Sequence, residues 1–175
     1  MILSRTKLFY FHKVKVKLIF PKTDTHQSVI HQQHIKMTKI FHKKVSDRTE
    51  KQIRQEVEFQ ERAEKLDLCP KILSTDYKTY INMEDLEQMS IADMYGDTFT
   101  ACPKYIRDEI YQILIRLYVE CNIEYIDVTP YNFIEKDGKL WIIDFGDARQ
   151  APKKDWFLQE MITNKKLTQW NPDFR

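Results

Sequence analysis

The stretch YIDVTPYNFIEKDGKLWIIDFGDAR, residues 125–149, constrains the fold of this chain more than any other part of it. Asp127 follows two apolar residues, and Asp144 ends an apolar run and is followed by phenylalanine and glycine. Asn132 lies between the two aspartates, and residues 136–138 end in Asp-Gly, which is typical of a hairpin turn. The stretch therefore predicts two short strands joined by a tight turn, with a carboxylate near the end of each apolar segment.

Two interpretations of these aspartates are open. A carboxylate beside a buried strand needs a partner, because a buried charge that is neither paired nor coordinated is costly. Capping of a turn explains either aspartate taken alone. Asp127 and Asp144 taken together with Asn132 favour a second interpretation, in which their oxygen atoms hold a metal ion and phosphate.

The remaining sequence predicts an α+β fold, because strand and helix patterns follow one another along the chain. The predicted strands are Lys13–Phe20, His34–Phe41 after a polar loop, and two short strands within Lys71–Leu86 around a turn at Ser74–Asp76. The predicted helices are Ser46–Leu66, capped by Ser46 or Asp47, a short helix stopped by Gly96, a long helix within Pro103–Asn122, and a last helix over residues 153–167 with Trp156, Phe157 and Met161 facing inward. Residues 168–175 are predicted to be a tail.

Charge is spread unevenly along the chain. Residues 1–44 carry ten Lys or Arg and one acid, Asp24, although the net charge of the whole chain is only +2. This asymmetry marks either a half that faces phosphate or nucleic acid, or solvated strand faces next to a loop. All five histidines lie between His12 and His42, which fits a polar loop better than a zinc site, because no fourth ligand accompanies them.

The cysteines and the apolar runs bear on the compartment. Three cysteines that lie far apart, Cys69, Cys102 and Cys121, form neither a zinc pattern nor a disulfide framework. A reducing, intracellular and cytoplasmic location is therefore expected. No apolar run approaches the roughly 20 residues needed to span a bilayer, so no membrane contact is expected. We expect no signal peptide at the start of this sequence either.

The motifs of residues 125–149 resemble the catalytic and metal-binding loops of the protein-kinase-like superfamily. The family's catalytic loop reads His-Arg-Asp-x-x-x-x-Asn, and Asp127 and Asn132 keep that spacing. The Asp-Phe-Gly tripeptide at residues 144–146 is intact. That tripeptide alone is weak evidence, but here a hairpin separates it from the first motif and a long apolar helix precedes both. The resemblance covers about residues 35–149.

The resemblance implies an ion pair upstream of these loops. Lys39 lies on the apolar face of a predicted strand, where the family has its ATP-binding lysine. Glu56 follows 17 residues later in the next helix, where the partner of that lysine belongs. Lys36 is a rival lysine and Glu58 a rival glutamate. A lysine on an apolar face can also extend its ammonium group to water, which needs no functional explanation.

The segment NMEDLEQMSIADM resembles the hinge between the two kinase lobes, with Met83 near the gatekeeper position. By the resemblance, the carbonyl of Glu84 and the N–H of Leu86 read the edge of adenine.

The implied chemistry is the binding of ATP with Mg²⁺. Asp144 and Asn132 supply oxygen ligands of the type Mg²⁺ prefers, and the phosphates and water complete its shell. Asp127 orients or accepts the proton of the attacking hydroxyl, and Lys39 bridges the phosphates.

The chain departs from the kinase pattern at several points. The family's loop histidine and arginine are Tyr125 and Ile126, and Thr129 replaces the lysine of serine/threonine kinases. No glycine precedes Gly96, so a glycine-rich phosphate loop is not expected. Only 29 residues follow Gly146, and they contain no Ala-Pro-Glu segment. The chain thus resembles minimal, atypical kinases with a reduced lower lobe, including those of large DNA viruses.

The sequence therefore predicts two lobes: residues 1–86, a small antiparallel sheet lobe with one helix that ends in the hinge, and residues 87–175, a reduced, mainly helical lobe with both loops. The expected function is transfer of the ATP γ-phosphate to a hydroxyl of protein Ser or Thr. The alternative is a pseudokinase that binds nucleotide or a partner protein without catalysis. Nucleic acid is not an expected partner, because no recognised nucleic-acid-binding motif accompanies the basic segment.

Overall fold

The computed structural model of the protein describes residues 38–153 and 155–174. The strands in this part are β1 Ile40–Lys44, β2 Ile72–Thr75, β3 Tyr80–Glu84, β4 Ile123–Glu124, β5 Phe133–Lys136, β6 Lys139–Ile142 and β7 Arg149–Gln150. The α-helices are α1 Glu50–Glu64, α2 Ile91–Tyr95, α3 Lys104–Val119 and α4 Trp156–Asn164, with single 3₁₀ turns at Pro130–Asn132 and Pro172–Phe174. The predicted strand Lys13–Phe20, the loop after it and the start of the strand His34–Phe41 lie outside the described residues.

Strands β1, β3 and β2 form an antiparallel sheet in that order. The predicted strand His34–Phe41 is placed too early, because the ladder with β3 runs from Ile40 opposite Glu84 to Lys44 opposite Tyr80. Side chains two residues apart share a face of a strand, and in β1 Phe41 and Lys43 form the partly buried face.

Helix α1 is confirmed, but its start differs from the prediction. Thr49 caps it, not Ser46 or Asp47: the Thr49 hydroxyl accepts from the Gln52 N–H, and the Gln52 side chain accepts from the Thr49 N–H. This reciprocal pair satisfies two N–H groups that a helix start leaves open. The helix buries one face, formed by Ile53, Glu56, Val57, Phe59, Gln60 and Ala63.

The two strands predicted within Lys71–Leu86 are confirmed, with a later turn than expected. The Asp76 carboxylate accepts from the N–H groups of Lys78 and Thr79, which places the turn at residues 76–79. Short side chains that bond the backbone in this way are typical of turns. The short helix α2 ends at Gly96, as predicted, where φ is 94°.

Two apolar cores lie within the described residues. A small core under the sheet consists of Val45, Ile53, Val57, Ile81 and Met83. A larger core packs α3, the β5–β6 hairpin and α4 together, and includes Ile110, Leu114, Phe133, Phe145 and Phe157. The two cores agree with the predicted α+β class and with one small sheet lobe and one mainly helical lobe. The predicted division at residue 86 remains a prediction.

The end of the chain contradicts two predictions. Trp156 does not face inward but is 46% exposed, and its indole N–H donates to the Asp173 carboxylate. The segment predicted as a tail, residues 168–175, is packed in its described part, because Trp170 is only 1% exposed and packs edge-on against Phe99. The pattern of α4 assigned the inward face correctly for Phe157 and Met161, but a lone tryptophan after a helix carries no periodicity from which its burial can be predicted.

All three cysteines are free and buried. Burial raises the pKa of the Cys69 thiol strongly and that of Cys102 to about 11. Because the thiolate is the reactive form, we expect thiol reagents at pH 8 to label the native protein slowly and the urea-unfolded protein fast. A time course with a chromogenic disulfide reagent measures this, and rapid labelling of the native protein would contradict the buried placement.

None of the described helices combines the length and apolar character that crossing a bilayer demands.

Candidate phosphate- and metal-binding site

A buried ion-pair cluster joins the sheet, helix α1 and the Asp-Phe-Gly motif. The Lys43 ammonium, near the end of β1, donates to Glu56 Oε1 and lies 2.7 Å from Asp144 Oδ1. Glu56 is 1% exposed, and the side chains of Lys43 and Asp144 are each 17% exposed. Burial lowers the pKa of Lys43, but the charges and hydrogen bonds of Asp144 and Glu56 outweigh it, so the pKa of Lys43 lies above its usual value. Lys43 therefore remains a cation at neutral pH.

The prediction that Lys39 pairs with Glu56 is wrong, because Lys43 makes that pair. The Lys39 side chain is 67% exposed and forms an ion pair with Glu87 instead. The reason lies in the bounds of β1: residues 39, 41 and 43 share one face, but only residue 43 lies at the end that approaches α1 and Asp144. The prediction identified the correct face of the strand but the wrong lysine along it.

The rival residues do not replace this pair. Lys36 lies outside the described residues, and Glu58 is 66% exposed with Arg62 as its partner. The sequence contains a signal for Lys43 that the prediction missed. Lys43 continues the alternation that runs from Phe41 to the buried Val45, just before the polar loop that leads into α1.

The candidate metal-binding loop is held at its start by a buried tyrosine. Tyr125 occupies the place of the family's loop histidine, and its hydroxyl donates to the carbonyls of Ile143 at 2.8 Å and Asp144 at 3.1 Å. Burial raises the pKa of Tyr125 well above its ordinary value, so the hydroxyl keeps its proton for these bonds. Phe145 packs edge-on against the same ring, with centroids 5.6 Å apart.

Asp144 has a left-handed backbone conformation, with φ at 61°. Few residues other than glycine adopt this conformation, and aspartate is among those that do. Its Oδ1 accepts from the N–H of Gly146 at 3.2 Å. The turn therefore directs the carboxylate back toward Lys43.

The predicted catalytic loop lies beside this turn. The Asn132 side-chain amide donates to the carbonyl of Asp127 at 2.9 Å, and the Ile143 N–H donates to the carbonyl of Asn132 at 2.9 Å. The first bond fixes the amide of Asn132, and the second ties Asn132 to the residue before Asp144. Asp127 itself is half-buried. The structure thus brings the three sequence-predicted residues into neighbouring loops.

Two further residues that the sequence analysis missed hold these loops. Asn171 donates from its side chain to the Ile126 carbonyl at 2.7 Å and from its backbone N–H to the Val128 carbonyl at 3.0 Å, on either side of Asp127. Arg48 Nη1 donates to the Gly146 carbonyl at 2.7 Å. Neither residue belongs to a motif, and both contacts join segments that lie far apart in the sequence.

The predicted hinge overlaps the end of strand β3 and continues beyond it. Met83 is buried in the small core at 4% exposure, beside the predicted readers Glu84 and Leu86. The backbone N–H of Glu84 donates to the carbonyl of Lys71, and that of Asp85 to the carbonyl of Lys39. These bonds fix the path of the chain out of β3, while the adenine-reading roles remain predictions.

The donor set fits a magnesium ion better than a transition metal. Asn132 and Asp144 offer amide and carboxylate oxygens, and Mg²⁺ commonly takes one or two protein ligands and completes its shell with phosphate and water. Among the described residues, no group of three or more His, Cys, Asp or Glu is placed to hold a metal ion. The pair at Asn132 and Asp144 is therefore the candidate that the described part offers.

Comparison with known proteins identifies the family. No curated protein matches this chain. A family model described as the RIO domain matches residues 5–165, which is most of the chain. RIO domains are atypical members of the protein-kinase-like superfamily, so the two-lobe kinase-like fold and the family-level activity, ATP-dependent phosphoryl transfer, agree with the resemblance seen in the motifs. The chain belongs to the RIO domain family.

Proposed function

We propose that this protein binds ATP with Mg²⁺ and transfers the γ-phosphate to a hydroxyl, most simply that of a protein serine or threonine. The observation that carries the proposal is the contact of Lys43 with both Glu56 and Asp144. It places a cation that is held by a buried carboxylate next to the candidate metal ligand. Phosphoryl transfer depends mainly on such positioning and on neutralisation of charge.

Each residue has a defined role in this proposal. Lys43 faces the ATP phosphates and is held in place by Glu56. Asn132 and Asp144 would hold Mg²⁺, which would supply positive charge to neutralise the phosphates. Met83, Glu84 and Leu86 flank the adenine.

Asp127 acts on the acceptor in this proposal. A half-buried carboxylate beside the metal loop suits the orientation of a hydroxyl and the acceptance of its proton. A cleft of about 360 Å³ opens beside the predicted catalytic loop, lined by residues that include Thr129, Pro130 and Tyr131. It offers room for the side chain or backbone that carries the acceptor hydroxyl.

A second function is favoured by two sequence observations. Thr129 stands where serine/threonine kinases have a lysine, and no glycine precedes Gly96. A protein without these groups is suited to bind nucleotide or a partner protein as a pseudokinase. Binding of Mg²⁺ and ATP without any phosphoryl transfer would support this alternative.

The proposal is tested by ATP turnover and autophosphorylation with Mg²⁺. We expect the wild type to be active. Asp127→Ala and Asp144→Ala should each lower the rate of phosphoryl transfer by about 10²-fold or more, which is the lower end of the effect of removing an acid–base group. Asp127→Ala should keep its nucleotide affinity, whereas Asp144→Ala should lose the Mg²⁺-dependent part of it. Equal activity in all three proteins would contradict the proposal.

A further inference from the structure

We propose that Arg48 is a positioning residue that holds the loop of residues 144–147 against helix α1 in the geometry that binds Mg²⁺. The proposal rests on the proposed function for its ligand, but the contact itself can be tested without nucleotide. Arg48 lies just before the Thr49 cap of α1, and 98 residues separate it from Gly146, the residue it contacts.

The first argument is the close approach of Arg48 to Gly146. Arg48 Nη1 donates to the Gly146 carbonyl at 2.7 Å. A Cβ atom added to Gly146 would lie 2.2 Å from Arg48 Nη1 and 2.5 Å from Cζ. The guanidinium group therefore occupies the space beside this glycine. The glycine of the Asp-Phe-Gly motif, which has no side chain, thus leaves room for the Arg48 guanidinium.

The second argument is charge. Glu56 Oε1 accepts from Lys43, while Oε2 is buried and accepts no hydrogen bond within the described part of the chain. Arg48 Nη1 lies 3.6 Å from that oxygen, and Nη2 lies 4.0 Å from Asp147 Oδ2. A buried carboxylate is costly unless it is paired, so Arg48 supplies the second cation for Glu56 while it binds the loop.

The third argument is geometry. Lys43 connects Glu56 to Asp144, and Arg48 connects Glu56 to Gly146, so helix α1 contacts the loop at both ends of the tripeptide. Tyr125 holds the carbonyls of residues 143 and 144 only. Without Arg48, the segment after Asp144 loses its connection to the helix, and the metal-binding carboxylate loses part of its support. The planar, multi-donor guanidinium can meet the carbonyl and both carboxylates at once, which a lysine cannot do.

The test compares Arg48→Gln and Arg48→Lys with a matched control, Arg54→Gln, which removes an arginine of helix α1 that pairs with exposed Glu50. Binding of ATP is titrated with Mg²⁺ and repeated in the presence of EDTA. We expect both Arg48 variants to need about 10- to 100-fold more Mg²⁺, the usual effect of losing a group that orients a metal ligand. Affinity in EDTA should stay unchanged, and Arg54→Gln should match the wild type.

Hydrogen exchange supplies a readout that needs no ligand. The N–H groups of Gly146 and Ala148 are bonded within the loop, to Asp144 Oδ1 and the Phe145 carbonyl. We expect both amides to exchange faster in Arg48→Gln, while amides of the β5–β6 hairpin keep their rates. Unchanged exchange at residues 146 and 148 would overturn the proposal, and so would faster exchange with an unchanged Mg²⁺ requirement. If the wild type binds no nucleotide, the proposed function fails, and the exchange rates alone decide the role of Arg48.

Discussion

Replacement of Lys43 by methionine is expected to lower the free energy of unfolding by about 3–5 kcal/mol, the range for removing one partner of a buried ion pair. Glu56 is 1% exposed, and among the described residues it would keep Arg48 as its remaining cation, at 3.6 Å. Methionine fills nearly the same volume, so the loss arises from the uncompensated carboxylate and not from a cavity. Nucleotide binding should be lost as well, because the cation that faces the phosphates in the proposed function is gone.

Two further variants separate stability from binding. The double variant Lys43→Met with Glu56→Gln removes both charges, and replacement of a whole buried pair is often close to neutral. It should recover part of the stability, since Asp144 and Arg48 each lose one partner as well, and none of the nucleotide affinity. Lys39→Met is the matched control, because Lys39 is exposed and pairs with Glu87 at the surface. It should change neither property noticeably.

Urea denaturation and a nucleotide-induced thermal shift measure both effects on the same proteins. If Lys39→Met were the damaging variant and Lys43→Met harmless, the assignment of the buried pair would be reversed. A Lys43→Met protein that is unstable but still binds ATP with full affinity would leave Lys43 a structural residue and remove it from the proposed site.

The predictability of the site follows the distance over which its contacts form. Asp127, Asn132 and Asp144 could be found because their spacing and the hairpin between them lie within one short segment. The lysine could not be placed with the same precision: residues 39 and 43 share a face, and only the bounds of β1 decide which one meets Glu56. Arg48 and Asn171 could not be found at all, since their partners are carbonyl groups, and carbonyls carry no sequence signal.

The elements of the fold divide in the same way into those that local sequence patterns predict and those that depend on remote contacts. Helices α1 and α3 were predicted because each carries an apolar stripe several turns long, and the β5–β6 hairpin because Asp-Gly marks its turn. The helix cap at Thr49 was missed because Ser46 and Asp47 are equally good caps by residue type. Among the described residues, the largest error concerns the two tryptophans near the end of the chain, whose burial depends on contacts with segments remote in sequence.

The second large effect on stability is expected at Trp170, with Trp156 as the comparison. Trp170→Ala is expected to lower the free energy of unfolding by about 3–5 kcal/mol, the range for truncating a large buried aromatic side chain. Trp170 is 1% exposed and packs on Phe99. Its indole N–H has no hydrogen-bond partner in the described part of the chain, so the cost is one of lost packing. Trp156→Ala makes the same chemical change at a side chain that is 46% exposed. It should cost about 1 kcal/mol, since only a surface hydrogen bond to Asp173 and limited packing are lost.

The consequence of Trp170→Ala should extend to the proposed catalytic loop. Trp170 precedes Asn171, which bonds the carbonyls of Ile126 and Val128 on both sides of Asp127. Loss of the Trp170 side chain weakens these bonds. The rate of phosphoryl transfer should therefore fall more than the Mg²⁺-dependent affinity for ATP, which relies on Lys43 and Asp144. Urea denaturation and single-turnover phosphoryl transfer at a temperature where both variants are folded measure the two effects. Equal destabilisation by Trp156→Ala and Trp170→Ala would contradict the packing of the segment, and a folded Trp170→Ala protein with full transfer activity would show that Asp127 does not depend on it.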